Sequence, residues 1–155
     1  MVTINHYREE NMDNKKIHFP AVIVSAIIHF ILGMIWYTAL GARWMAYAGV
    51  TQEAGQKMSG AEMAGLYGGA FIAYVIAFYC LAFINQAFQV KDVKGGAQSG
   101  FWSWLGFSAT SLYVSYSFAL RPIGLFIIDA GYWLVGLVIG GIILAVWKKK
   151  EIATA

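Results

Sequence analysis

Four long stretches of this chain, residues 19–40, 63–88, 97–120 and 122–147, carry almost no charge. A helix needs about 20 apolar residues to cross about 30 Å of hydrocarbon, and each stretch is that long. Hydrophobic residues make up 59% of the 155 and charged residues 12%, against about 25% charged in an ordinary soluble domain. So few charges cannot solvate the outside of a fold of this size, which leaves lipid as its solvent.

The spans are too long for β-barrel strands, which alternate over roughly ten residues. The turns between the later ones are short, as antiparallel helices require. The expected fold class is therefore all-α: a polytopic membrane protein forming an antiparallel bundle of four transmembrane helices. A polar N-terminal tail (1–18) precedes it and a basic C-terminal tail (148–155) follows. The first span exceeds the 7–15 apolar residues of a signal-peptide core and follows a polar tail, so it is expected to stay as a span. Residues 41–62 form a polar connection whose aromatic start, Arg43 to Tyr47, is expected at the membrane surface. Gln89 to Gly96 is expected to be a tight basic loop.

Lys and Arg counts set the orientation. Eight lie in the N-tail, the second loop and the C-tail, and three lie in the first loop and at Arg121. Both termini are expected in the cytoplasm, with the protein multi-pass in a cell (inner) membrane. The net charge of +3 sits at span ends, so it marks interfacial anchors and no nucleic-acid face.

Inside lipid, helices associate through small residues and polar contacts. At 100° per residue, Ser25, His29, Gly33 and Trp36 share a stripe on the first span. Ala97, Gly100, Trp104, Ser108, Ser111 and Ser115 share one on the third, and Asp129, Trp133, Gly136 and Gly140 one on the fourth. Gly65, Gly68 and Gly69 cluster on the second. These stripes are expected to face the interior or another protomer. Gly33, Trp36, Ser108, Ser111, Ser115, Gly136 and Gly140 are the helix-packing candidates, the serines through interhelical hydrogen bonds. Asn85 and Gln86 are interfacial or packing residues.

His29 and Asp129 are the ionisable groups well inside the spans, tyrosines and Cys80 apart. Such groups are costly in hydrocarbon and face the interior. Counted at 1.5 Å per residue, their depths differ by about 5 Å, so side chains of neighbouring first and fourth helices can meet. The pair, with Arg121 at the outer interface, forms a candidate polar site: a proton relay or substrate contact. The plainer alternative is that a serine, tyrosine or carbonyl satisfies each. Arg121 is an interfacial anchor or an anion contact. Trp36, Tyr37, Trp44 and Tyr47 are expected as an outer aromatic belt, and Cys80 as a small buried hydrophobe.

No HExxH, GxSxG or P-loop is present, and two ligands fall short of a zinc site. No enzyme activity, cofactor or metal is expected, and no nucleic acid. The expected partners are the lipid bilayer and a second copy of the chain. The chain reads as a structural or accessory helix-interaction protein, or alternatively as a small oligomeric transporter or channel using His29 and Asp129. No internal repeat supports a single-chain transporter built from inverted halves.

Gly33-Met34-Ile35-Trp36-Tyr37, followed by Arg43-Trp44-Met45, Gly49-Val50-Thr51 and, in the last span, Gly131-Tyr132, resembles the small bacterial membrane proteins of domain-of-unknown-function family 1761. The resemblance covers nearly the whole chain beyond the N-tail. It implies four helices and a bacterial envelope location, and no activity or functional residue.

Overall fold

The computed structural model describes residues 17–147. Both expected tails fall outside the described residues, save His18 and Ile17. Every regular element among the described residues is helical: α1 (Phe19–Ala48), α2 (Gln52–Gln56), α3 (Gly60–Ala87), α4 (Val93–Ser103), a π-helical segment (Trp104–Ala109), α5 (Thr110–Phe118) and α6 (Ile123–Val146). Three of these, α1, α3 and α6, are long and apolar enough to cross a membrane.

The helix ends follow from local chemistry. Pro20 occupies the first turn of α1, where its missing N–H costs no hydrogen bond. The helix does not stop near Leu40. It runs through Gly41, which has open space around it, to Gly49, whose left-handed φ of 69° ends it. Gly49 and Val50 N–H groups both return to the Met45 carbonyl, a glycine-terminated C-cap. The expected surface segment Arg43–Tyr47 is thus the last part of α1.

A capping box opens α3. The Ser59 side chain accepts from Glu62 N–H, and Glu62 Oε2 accepts from Ser59 N–H at 2.7 Å, satisfying two end donors reciprocally. Asp92 caps α4 by accepting from Gly95 N–H at 2.6 Å. The basic loop is shorter than expected for that reason: Asp92 starts a helix at Val93. Gln89 and Leu120 end α3 and α5 with φ of 53°, a region in which a side chain costs about 1–2 kcal/mol.

α6 is the hub. It packs on α1, α3, α4, the π segment and α5, whereas α5 has few other neighbours. The tightest crossing is between α4 and α6. A Cβ on Gly96 would stand 2.6 Å from the Gly141 carbonyl oxygen, and one on Gly100 would overlap the Leu137 carbonyl. Backbones this close need glycine on both helices. Val22, Ala26, Phe78, Leu81, Ala82 and Leu137 form the apolar core between α1, α3 and α6.

α4, the π segment and α5 form one unbroken helical rod, because the junction residues Ser103, Trp104, Ala109 and Thr110 all keep right-handed helical angles. A π turn bonds i to i+5 and so inserts one residue into an α-helix. That insertion moves the face presented to α6. Up to the π segment it runs through Gly96 and Gly100. Beyond it, Ala109 is buried and Leu112 and Tyr116 are half-buried, while Ser111 and Ser115 are exposed. The expected stripe of Ser108, Ser111 and Ser115 is therefore displaced from the packing face by one residue. None of those serines forms a side-chain hydrogen bond among the described residues, so they bond to no other helix of this chain. Gly65, Gly68 and Gly69 likewise have open space beside them.

Candidate functional site

Asp129 is 7% exposed on α6, and its carboxylate is met by three aromatic donors. Oδ1 accepts from the Tyr37 hydroxyl at 2.7 Å and from Trp44 Nε1 at 3.0 Å. Oδ2 accepts from the Tyr116 hydroxyl at 2.7 Å. Tyr37 and Trp44 lie seven residues apart, two turns of one helix face, and that spacing lets α1 deliver both. Tyr116 comes from α5, on the face that the π segment turns toward α6. A buried carboxylate is tolerable only when hydrogen bonds replace its hydration, and here they tie three helices together.

The flanking residues extend the same pattern. Trp36 Nε1 donates to the Ile128 carbonyl at 3.1 Å, and Trp104 Nε1 donates to the Ala130 carbonyl at 2.7 Å. The Trp36 ring lies against Gly131, and Tyr47 fills the space left by Gly124. Trp36, Tyr37 and Trp44 of the expected aromatic belt are therefore turned inward, onto α6, while Tyr47 packs on Gly124 and stays exposed. The cause is the carboxylate, together with carbonyls whose second lone pair is free to accept.

His29 is 1% exposed and does not touch Asp129. Its ring stacks on Tyr132, with centroids 4.3 Å apart, and meets Tyr74 edge-on at 4.6 Å and Trp133 at 5.0 Å. Among the described residues neither ring nitrogen has a hydrogen-bond partner, and nor does Ser25 Oγ one turn away. The Tyr132 hydroxyl bonds the His29 carbonyl, not its ring, at 3.0 Å. Tyr132 and Tyr37, with rings 5.3 Å apart, stand between the histidine and the aspartate. The helices are neighbours as the pairing required, but these two aromatic rings fill the gap.

The glycine candidates prove to be seats for rings. A Cβ on Gly136 would lie within the His29 ring and one on Gly140 within that of Phe78, while one on Gly33 would be 2.9 Å from the Tyr132 hydroxyl. Arg121 donates to the Ala48 carbonyl at 3.0 Å, closing the C-terminal end of α1 and pinning the α5–α6 turn to it. Asn85 is buried, donates to the Gly141 carbonyl at 3.0 Å and accepts from Ser99, so it braces α3, α4 and α6 near the opposite end.

Beside this cluster an open groove runs between α3 and the rod. Its deeper part, about 350 Å³, is walled by Ala77, Cys80, Leu81 and Ile84 on α3 and by Phe107 and Ser108 on the π segment. A second opening of about 250 Å³ lies beside it between the rod and α6, lined by Ser111, Leu112 and Ser115. Trp133 and Ser108 line both. Cys80 is exposed on this groove, not buried as expected, because α3 and the rod do not close against each other there.

Tyr37, Trp44, Tyr116 and Tyr132 were not among the site candidates. The seven-residue spacing of Tyr37 and Trp44 was legible, as was the need of Asp129 for donors, but nothing in the sequence joined the two. Among the described residues no three of His, Cys, Asp and Glu gather as metal ligands.

Of the residues that carry the resemblance to family 1761, Gly33, Trp36, Tyr37, Trp44, Gly131 and Tyr132 meet at this cluster. No curated protein and no solved structure matches the chain. A family model described as "Protein of unknown function (DUF1761)" matches residues 20–145, from the first turn of α1 to the last turn of α6, and the chain belongs to that family.

Proposed function

We propose that this is a multi-pass protein of a bacterial inner membrane that works as an accessory, through helix–helix and lipid contacts and without catalysis. In this reading the rod Val93–Phe118 is the fourth crossing and both termini lie in the cytoplasm. The observation that carries it is the saturation of Asp129. Three donors from α1 and α5 consume the one buried carboxylate among the described residues as an internal brace, and Asn85 serves the same end elsewhere. The exposed faces of α3 and α5 are left for lipid, a second copy or a fixed partner. Crosslinking in native membranes should recover a homo-oligomer or one constant partner, and a chain that stays monomeric and alone overturns the accessory role. A C-terminal reporter should be active only on the cytoplasmic side, and an external C-terminus overturns the orientation.

One observation favours a second reading, a small transporter that passes protons. His29 is buried with both ring nitrogens unpartnered, and Tyr132 and Tyr37 lie in succession between it and Asp129. Proteoliposomes should then show a pH-driven flux that the Asp129→Asn variant abolishes. Absence of flux for protons and small cations rejects this reading.

A further inference from the structure

The rod is held to α6 unevenly along its length. Up to the π segment it is fixed by backbone contact, at Gly96 against Gly141 and at Gly100 against Leu137. Beyond the π segment no residue of α5 is buried. Side chains hold it there instead. The Tyr116 hydroxyl donates to Asp129 Oδ2 at 2.7 Å, and the Tyr113 ring meets that of Phe126 edge-on, with centroids 5.6 Å apart. At the far end Phe118 and Leu120 are 88% and 91% exposed, so the last residues of the rod are free of packing.

Two faces of α5 fit against α6. One is the face now packed, Ala109, Leu112 and Tyr116, which is selected by the residue that the π segment inserts. The other is the face on which an unbroken α-helix continues Gly100 and Trp104: Ser108, Ser111 and Ser115. They differ by one residue, which is 100° of rotation and about 1.5 Å of rise. Each exchange is sterically mild. Ser108 would replace Ala109, one hydroxyl larger, and Ser111 would replace Leu112. Leu112 would replace Tyr113 against Phe126 and keep an apolar contact. The serines can donate to the carbonyl one turn back, as Thr110 Oγ1 already does to that of Gly106 at 2.8 Å. The residue released by the π segment would pass to the unpacked end at Phe118 to Leu120.

What separates the two registers is the side chain opposite Asp129. In one it is Tyr116, in the other Ser115. A serine hydroxyl sits on Cβ itself and falls short of the tyrosine hydroxyl by the depth of a ring. Asp129 Oδ2 would then lose its donor from α5 and face the opening of about 250 Å³ lined by Ser108, Ser111, Ser115 and Trp133. We propose that α5 is a two-register switch. Expelling the extra residue from Trp104–Ala109 turns α5 by one residue, withdraws Tyr116 from Asp129 and opens the carboxylate to a row of serine hydroxyls. The Tyr116–Asp129 bond is the latch of the closed register, and a π turn, a feature frequent at functional sites, is the store for the extra residue. The switch stands apart from both functional readings, since it needs only the π segment, the serine face and the latch.

The test uses the full chain in lipid nanodiscs, in a Cys80→Ala background, with pairs of nitroxide labels. One label sits at Ile35→Cys, exposed on α1, and the other at Tyr113→Cys or Val114→Cys, exposed on α5. Turning a helix 10–12 Å across by 100° carries its surface about 8 Å. Because α1 packs on α6, the helix that α5 faces, the turn takes the Tyr113 label away from Ile35 and brings the Val114 label toward it, each by about 5 Å. Tyr116→Phe, which removes only the latch, should raise the share of molecules at these second distances at least threefold over the parent. Deleting Gly106 takes out the extra residue while keeping Ala109, Leu112 and Tyr116 on α6, so in the Tyr116→Phe background it should abolish the second distances. The switch is overturned if Tyr116→Phe leaves a single distance at each site, or if the second distances survive the deletion of Gly106. It is also overturned if both distances lengthen together, which would mean that α5 swings off α6 without turning.

Discussion

The Gly100→Leu variant should lose about 3 kcal/mol of stability or fail to assemble, with a Tm in detergent lower by on the order of 10 °C. Any side chain at Gly100 meets the Leu137 carbonyl and, at 2.8 Å, the Cα of Val138. Both belong to helical backbone, so neither can rotate away as a side-chain end would. Overpacking of a tight site ordinarily costs about 1–3 kcal/mol and more where the surroundings cannot yield. Here the only relief is to push α4 away from α6, which would also pull Ser99 from Asn85. Gly106→Leu is the matched control. Gly106 lies on the same rod with nothing within 4 Å of its missing Cβ, so that variant should stay within about 0.5 kcal/mol of the parent. Equal Tm values for the two variants would show that the glycine crossing does not hold the bundle.

Asp129→Ala should cost about 2–4 kcal/mol, because it orphans three donors at once. Hydrogen bonds between membrane helices average about 0.6 kcal/mol by double-mutant cycles and reach about 1.7. Leaving a buried donor unsatisfied costs about 1–3 kcal/mol. Asp129→Asn should cost only about 1 kcal/mol. Its amide oxygen can still accept from Tyr37 and Trp44, and the Tyr116 hydroxyl can turn to accept from the amide nitrogen. Tyr116→Phe should likewise cost about 1 kcal/mol in the parent and almost nothing in the Asp129→Ala background, since the partner is already gone. Thermal or chemical unfolding of the four variants checks the cycle. Additive losses for Asp129→Ala and Tyr116→Phe would mean that the two do not act as one brace. The same series separates the two functional readings. A brace loses stability with Asp129→Ala and keeps its partner interactions with Asp129→Asn, whereas a proton relay keeps its fold with Asp129→Asn and loses flux.

Several features of the site were partly visible in the residues. His29 and Asp129 stood out because ionisable groups are rare in apolar spans, and both are buried. Gly33, Gly136 and Gly140 stood out as small residues on polar stripes, and each does face a neighbouring helix. Their purpose was not visible, because a glycine that admits a ring and one that admits a backbone are the same letter. By type and position alone, Trp36, Tyr37 and Trp44 fit an interfacial belt. Which way an aromatic points depends on the acceptor opposite, and that acceptor lies 85 to 92 residues away in the chain.

The sequence by itself determined the helical class, the places of the three long apolar helices, and the rarity of charge within them. These are local properties: length, hydropathy and capping groups act within a few residues of one another, as at Ser59–Glu62 and Gly49. Only the tertiary structure decided which side chains meet. Helical register accumulates at 100° per residue, so a single inserted residue in the π segment was enough to replace Ser108, Ser111 and Ser115 with Ala109, Leu112 and Tyr116 on the packing face. That one displacement brings Tyr116 to Asp129 and leaves the serines lining an open groove, because helix rotation is set by what packs against the rod as much as by the residues within it.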